Sequence, residues 1–591
     1  MAHIPLSYTP PEYGGKRFIY SVPEGGMKLC DREELFDKYN TCAFLSNLET
    51  KGSYFSARNG QKSVCMMPKG QVHNFTKEPF FEHFIIHIGS VLCSFDAKGG
   101  TYNVISADFP DKKSLFCQFM SKLYIYCDSR VFSLDDMLVL KEEDADAALL
   151  YSGVSPAAGS SAKRIQGSCC NLVSPRIRVE YDMSANTVFY VPVNINADRK
   201  TVLYDGENVV DESEYNVYEN RITYGSGGDT KQRQISIEYY VKDPGSIGYT
   251  DELYNFTVCE SFGGDINGGT RVFFSGNEAF KGRYRKSGLQ NPLYVAEDEY
   301  ETFGDGCENV TAMKKMYGDL IVFTERSVFK MTYALLSDGP FFSVKRISTL
   351  TGCDCPYSVQ LIDNKVVFAN SQKGVFIVSS VEETGETNIK PISGNINKGD
   401  VGFLACESAV KTAAYSLDFD RKYMLFVGEN AYIWDYDSTS FIDSGNYLAS
   451  QNRLKWYMYT GVKGDIFFVV DRKVHSLTKN DSEVFCFSED APCESECVFD
   501  TGSLAFGNAF GKKLLSGVEF LLKKKTPGDI TISVYCDEAE YFTKSMDFTA
   551  KSKTKTRISL PIRHGYSYGV RLSSNVPFDF FGAAFTYKFL K

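Results

Sequence analysis

A short apolar hairpin recurs along this chain, and its spacing limits the fold more tightly than any single motif does. Copies begin at Phe84 (FIIHIGSVLCSF), Lys122 (KLYIYCDSRVFSL), Asp319 (DLIVFTERSVFKM), Lys365 (KVVFANSQKGVFIV), Lys422 (KYMLFVGENAYIW) and Asp465 (DIFFVVDRKVHSL), with a weaker one at Arg271 (RVFFSGNEAF). Each reads as strand, polar turn, strand. Most successive copies stand roughly 40 to 50 residues apart, the period at which antiparallel four-stranded blades stack into a β-propeller. The spacing predicts an all-β fold with six or seven blades, beginning near these seven positions. The 37 Tyr and 45 Phe among 591 residues suit half-buried pleated surfaces.

Gaps in the repeat divide the chain. The interval from Lys122 to Arg271 is far longer than one blade requires. It opens with YSGVSPAAGSSAK, Tyr151 to Lys163, which has the composition of a flexible linker. The strands that follow (RIRVEYD, NTVFYVPV, KTVLYDGENVV, NRITYG, RQISIEYYV) predict an inserted Ig-like β-sandwich over 164–246. After Cys497 the pattern again leaves the repeat, predicting a C-terminal β-sandwich or jelly-roll-like domain over 498–591. Residues 1–150 then hold an N-terminal arm and the first blades, and 247–490 the remaining blades.

Composition excludes several classes. No run of 18 apolar residues exists, so no helical membrane span is expected, and the N-terminal segment lacks the basic start and apolar stretch of a secretory signal. The 17 cysteines are an odd number scattered through apolar strands, as expected of packed thiols in a reducing compartment. Cys169-Cys170, Cys353-x-Cys355 and Cys493-x-x-x-Cys497 lack zinc-site spacing. A net charge of −10 argues against binding driven by phosphate neutralisation, yet an acidic wall would let a duplex slide past. The basic clusters at Lys163 and Leu522 read as solvated turns.

Catalytic spacing is sparse. His83 and His87 in HFIIH could share a helix face as metal ligands, but their Phe and Ile neighbours favour a buried strand. Glu142-Glu143-Asp144 and Asp298-Glu299 lack the pattern of a calcium loop, and GGDINGG at Gly263 lacks the lysine and helix of a phosphate loop. We expect no catalytic, cofactor or metal site, and no enzyme. Trp434, Trp456 and exposed tyrosines are the candidate stacking faces for a glycan, although both tryptophans follow apolar runs and fit blade interiors. A glycoside-cleaving propeller would need two placed carboxylates, and no such pair stands out.

The most specific residues lie between Arg271 and Tyr333. Arg271 to Phe280 (RVFFSGNEAF), Gly282 to Tyr294 (GRYRKSGLQNPLY), the Gly304 turn and Gly318-Asp319 at the head of GDLIVFTERSVFKM resemble a group of bacteriophage and prophage virion proteins related to the propeller-bearing nozzle and tail-tip components of phage tails. A weaker likeness extends over about residues 40–480, including Cys42 to Leu48 and the Ala57-Arg58-Asn59-Gly60 turn. The residues that carry the pattern are Arg271, Ser275, Gly276, Asn277, Arg283, Ser287, Gly288, Asn291, Pro292, Tyr294, Gly304, Gly318 and Asp319. Glu278 stands where the pattern has proline, and Tyr284-Arg285-Lys286 where it has an aromatic before Ser-Gly. The resemblance implies a structural protein of the tail, made in the host cytoplasm and built into the virion as a homo-oligomeric ring. Its partners would be adaptor, portal, fibre or tip proteins, and genomic DNA would pass through transiently. The alternative is a host-surface glycan-binding protein. Glycines and Asn291-Pro292 give the motif itself a shaping role between blades.

Overall fold

The computed structural model describes residues 15–23, 25–29, 41–96, 98–154, 162–184, 187–225, 233–264, 269–380, 387–397, 401–406, 413–436, 454–524, 526–547 and 554–590. Their named elements are strands and 3-10 turns of three or four residues. The fold is all-β, with blades of the propeller type and two β-sandwiches. The chain divides into two compact units, Met67–Asp354 and Met1–Met66 with Cys355–Lys591.

The unit from Met67 to Asp354 holds four antiparallel four-stranded blades. The first is Val72–Phe75, Phe84–Ile88, Val91–Asp96 and Thr101–Ser106, and the second is Ser114–Phe119, Lys122–Cys127, Arg130–Leu134 and Leu140–Glu143. The third is Val258–Phe262, Arg271–Ser275, Arg283–Lys286 and Tyr300–Thr302, and the fourth is Val310–Met316, Asp319–Thr324, Val328–Leu336 and Gly339–Ser348. The first strand of each blade lies beside the first strand of the next, so the second blade meets the third across the insertion. Where they meet, Tyr126 packs with Val131, Leu172, Val173, Leu253, Val272 and Phe274 in one apolar cluster.

The inserted sandwich faces a six-stranded sheet (Lys163–Arg164, Ala148–Gly153, Arg176–Ser184, Arg233–Tyr240, Val202–Asp205, Asn208–Val209) with a three-stranded one (Val188–Tyr190, Arg221–Tyr224, Tyr215–Tyr218). Leu150, Ile177, Val179, Phe189, Leu203, Ile222, Ile235 and Ile237 fill the space between them. The sandwich starts earlier than the alternation at 164 implies. Ala148–Gly153 pairs in parallel with Arg176–Ser184, so Tyr151, read from composition as the start of a linker, is in a strand. Residues 155–161 of that expected linker lie outside the described residues.

In the other unit the fifth blade is Gln360–Ile362, Lys365–Asn370, Gly374–Ser380 and Thr387–Pro391, and the sixth is Tyr415–Phe419, Lys422–Val427, Asn430–Asp435 and Lys455–Tyr459. The seventh has three strands from one stretch, Ile466–Val470, Lys473–Leu477 and Glu483–Ser488, and takes its fourth, Gly60–Met66, from the N-terminal arm. This corrects where the blades begin. In the first six, the recurring hairpin is the middle pair of strands and the blade starts one strand earlier, whereas in the seventh it is the leading pair. Several hairpins turn through two residues at positive φ: Asp128-Ser129, Asp363-Asn364, Asp420-Arg421 and Asp471-Arg472. This is the mirror-image turn whose twist matches that of its flanking strands.

The arm also builds the C-terminal sandwich. One of its sheets centres on Lys513–Lys524 and Phe578–Phe589, and the latter pairs with Lys16–Tyr20 and Tyr54–Ala57. The other sheet is continuous with the sixth blade. Phe44–Ser46 lies between Lys455–Tyr459, which it meets in parallel, and Cys497–Asp500, and Tyr568–Ser574, Asp529–Cys536 and Ala539–Asp547 follow. Residues 1–150 are therefore shared between the two units, and the sandwich expected over 498–591 includes arm strands as well.

Candidate functional site

The motif residues fall in and around the third blade, and a buried ion cluster holds that region together. Asp251 leads into a 3-10 turn, Glu252–Asn255, that carries the Glu252 side chain inward to 7% exposure. Arg285, on the third strand of the blade and 3% exposed, donates from Nε and Nη2 to the two Glu252 oxygens at 3.1 and 2.7 Å. Its Nη1 donates to the carbonyls of Ala296 and Glu297 at 3.2 and 2.6 Å. Arg283 adds a bond to Glu252 Oε1 at 3.3 Å, with its guanidinium between the rings of Phe280 and Tyr300, 4.0 and 4.3 Å from their centroids. The fork geometry of arginine satisfies a buried carboxylate that a lysine could meet at only one point.

Around this cluster each motif residue performs a local task. Ser275 Oγ donates to the Arg283 carbonyl at 2.6 Å, and Asn277 Oδ1 caps the turn Glu278–Phe280 by accepting from Ala279 N–H at 3.0 Å. That turn begins at Glu278, where the resembling proteins have proline, and the Asn277 cap stabilises it. Gly276 has φ +87°, and a Cβ there would sit 2.2 Å from Thr257 Oγ1, so both conformation and space demand glycine. Arg271 donates to the Ser287 carbonyl, and Ser287 Oγ accepts from Val272 N–H at 2.9 Å. Gly288 N–H donates to the Tyr294 carbonyl at 2.8 Å, closing the Leu289 to Leu293 loop.

That loop reaches the second blade. Asn291 Nδ2 donates to Asp146 at 2.6 Å, and the Pro292 carbonyl accepts from Tyr126 Oη at 2.9 Å. Asn171, 1% exposed at the foot of the insertion, donates to the carbonyls of Asp146 and Leu293 and accepts from the N–H groups of Val173 and Val295. Blade, loop and insertion are thus joined by one saturated network. Gly304 belongs to the boundary with the fourth blade, where a Cβ would meet Arg346 Nη2 at 2.2 Å. Gly318 and Asp319 lie apart, at a turn and at the head of the strand Asp319–Thr324, where the Asp319 carboxylate pairs with Lys330 at 3.0 Å.

The other sequence candidates are structural in their surroundings. Trp434 and Trp456 are 2% and 0% exposed and stack within the sixth blade, so neither offers a face to a glycan. Glu142 and Glu143 pair with Arg199 and Lys141 at 2.9 and 2.6 Å, and Asp298 accepts from Cys169 Sγ at 3.0 Å. In GGDINGG, Gly264 and Gly269 lie against the Tyr333 ring, and residues 265–268 lie outside the described residues. Among the described residues no three His, Cys, Asp or Glu side chains are grouped so as to hold a metal ion. The sequence reading missed Glu252, an acidic residue in a polar stretch with no motif to mark it.

HFIIH is a strand. His87 is fully buried, with Nδ1 2.9 Å from Ser114 Oγ and its ring against His73 and Phe109. Burial, with a smaller contribution from His73, pushes the His87 imidazole down to about 4, and burial does the same to His475 in the seventh blade. Both are neutral in the folded chain and bind protons more readily when it unfolds. Their stabilisation is complete above the ordinary imidazole value of about 6.5 and is lost as pH falls from there toward 4, on the order of 3 kcal/mol each. Urea midpoints should therefore drop between pH 6.5 and 4.5, and His87→Asn should flatten part of that slope; a midpoint constant over this window would disprove the assignment.

No family model matches the sequence, and no curated protein matches it. Among solved structures, the β-propeller domain of Cps50 (Swd1) from Myceliophteria thermophila is similar at 8% identity and a TM-score of 0.26, with 72% of this chain and 99% of that one covered. At that score the likeness carries no argument.

Proposed function

We propose that this chain is a structural protein of a tailed-phage virion that forms a ring in the tail, at the nozzle or the tip, around the path by which DNA leaves. The observation that carries this reading is the use to which the motif is put. Among the residues that resemble phage tail proteins, Asn291 and Pro292 tie the third blade to the second and to the foot of the insertion, and Ser275, Asn277 and Ser287 bond within and beside the third blade. Such a junction suits a part that bears load. Blades also suit a conduit wall, because their strands are paired within compact sheets and offer few free edges. In this reading the chain is not an enzyme, and its mechanism is mechanical: copies line the channel and an acidic surface lets the duplex slide.

Purified protein should associate into a ring, alone or on a tail complex, visible by negative stain and mass photometry, and should leave host polysaccharide intact. A strictly monomeric protein that joins no tail partner yet binds or depletes that polysaccharide would overturn the reading.

A further inference from the structure

Between the strands Glu483–Ser488 and Cys497–Asp500 the chain crosses the N-terminal arm in a loop whose cysteines are covered and whose other residues are not. Pro492, Glu494 and Glu496 are exposed, while Cys493 and Cys497 are 2% and 1% exposed. Both sulfurs approach one acceptor, the Ser495 carbonyl, at 3.5 and 4.0 Å, and the Cys497 thiol donates a hydrogen bond to Cys493. The arm grips this loop. Asn47 Nδ2 donates to the Glu496 carbonyl at 2.8 Å, Gly60 N–H donates to the Ala491 carbonyl at 2.7 Å, and Cys497 Sγ lies 3.6 Å from the Asn47 carbonyl.

A buried cation sets the chemistry of the pair. Arg58, 5% exposed, donates to neutral acceptors, Asn47 Oδ1 and the carbonyls of Asn59 and Thr460, at 2.8, 2.9 and 2.9 Å. Its guanidinium lies over the rings of Tyr459 and Phe487, and among the described residues no carboxylate pairs with it. Such a charge favours the anionic form of an acid close by, and here that acid is the Cys493 thiol. The hydrogen bond from Cys497, and then the charge of Arg58, hold this thiol below its ordinary range against the opposing effect of burial. Cys42, Cys127 and Cys170 behave in the opposite way, pushed up by burial.

We propose that Cys493 and Cys497 are an oxidisable dithiol, which hydrogen peroxide converts to a disulfide beneath the loop that holds the arm. The Cys493 thiolate attacks one peroxide oxygen, the O–O bond breaks, and the departing hydroxide takes up a proton to become water, leaving a sulfenic acid on Cys493. The Cys497 sulfur then attacks the Cys493 sulfur. The S–O bond breaks, and hydroxide leaves as water with the Cys497 proton. Two thiols are thus oxidised to one disulfide while one peroxide is reduced to water. Because both sulfurs are covered, the oxidant has to be small. The product closes residues 493–497 into a ring and removes the anion beside Arg58, so the contact between loop and arm registers the redox state. This chemistry is independent of the chain's place in a tail.

The test treats the reduced full chain with hydrogen peroxide, then labels remaining thiols with iodoacetamide and locates them by fragment mass spectrometry. Cys493 and Cys497 should lose reactivity together, at least about tenfold faster than the other buried cysteines, because the thiolate is the reacting form. The Cys497→Ser chain, shown to be folded by its melt, should stop at a sulfenic acid on Cys493 that dimedone traps, whereas the Cys493→Ser chain should yield no such adduct on Cys497. If Cys493 and Cys497 in the wild-type chain stay reduced while other cysteines oxidise, or oxidise only once urea has unfolded the chain, they are packed thiols and the proposal is wrong. A dimedone adduct on Cys497 instead of Cys493 would overturn the assignment of the attacking thiol.

Discussion

Glu252→Ala should destabilise the unit from Met67 to Asp354 by about 3–5 kcal/mol, the usual consequence of removing one member of a buried ion pair. The size follows from what remains. Arg285 is 3% exposed, and with Glu252 gone two of its donor groups face a void that water reaches poorly, so the charge stays desolvated without a counterion. Arg283 suffers less because it is 22% exposed and held between two rings. Since domains are stable by only about 5–15 kcal/mol, the variant should melt at a much lower temperature or fail to accumulate. Glu252→Gln keeps one acceptor oxygen and should lose less. Urea unfolding of the three chains checks this, and an alanine variant indistinguishable from wild type would show that the cluster contributes nothing to stability.

A larger loss is expected from a chain that starts after Met66. The arm supplies the fourth strand of the seventh blade, the strand that joins the sixth blade to the C-terminal sandwich, and strands flanking Phe578–Phe589. It also buries Tyr20, Met27, Leu45, Leu48 and Phe55, each at most 1% exposed. At about 1.5–3 kcal/mol per side chain, their burial is comparable to the whole stability of a domain. Arg58 adds bonds to Asn47 Oδ1 and the Thr460 carbonyl at 2.8 and 2.9 Å. The truncated chain should be insoluble, and co-expression of residues 15–66 as a separate peptide should restore soluble protein. Soluble truncated protein with an unchanged melt would show the arm to be dispensable.

What the sequence made legible follows burial. The hairpins at Phe84, Lys122, Asp319, Lys365 and Lys422 stand out because middle strands of a blade are covered on both sides and read as apolar runs, as in Phe84–Ile88, where all five residues are buried. Outer strands leave little trace. Tyr300–Thr302 is exposed throughout, and Leu140–Glu143 reads as a charged loop. The arm was illegible for another reason. Phe44–Ser46 is three residues long and pairs with strands more than 400 residues away, so no local turn or alternation announces it. In the junction, the glycines and Asn277 were readable as turn chemistry. Arg285 was visible only as a departure from the family pattern, and its partner Glu252 lies in a separate element with no fixed spacing to it.

The strand Gly60–Met66 also sets an order of events during synthesis. Its partner, Glu483–Ser488, leaves the ribosome about 400 residues later, which at 5–20 residues per second is a wait of roughly 20–80 s. The four blades between Met67 and Asp354 emerge in that interval with their described strands pairing among themselves, and none of them pairs with a described strand of the arm. The arm strands whose partners come last, Lys16–Tyr20 and Gly60–Met66, carry Lys16, Arg17 and Lys62 at exposed positions. Those charges suit a segment that must remain unpaired in a crowded cell until the end of its own chain arrives.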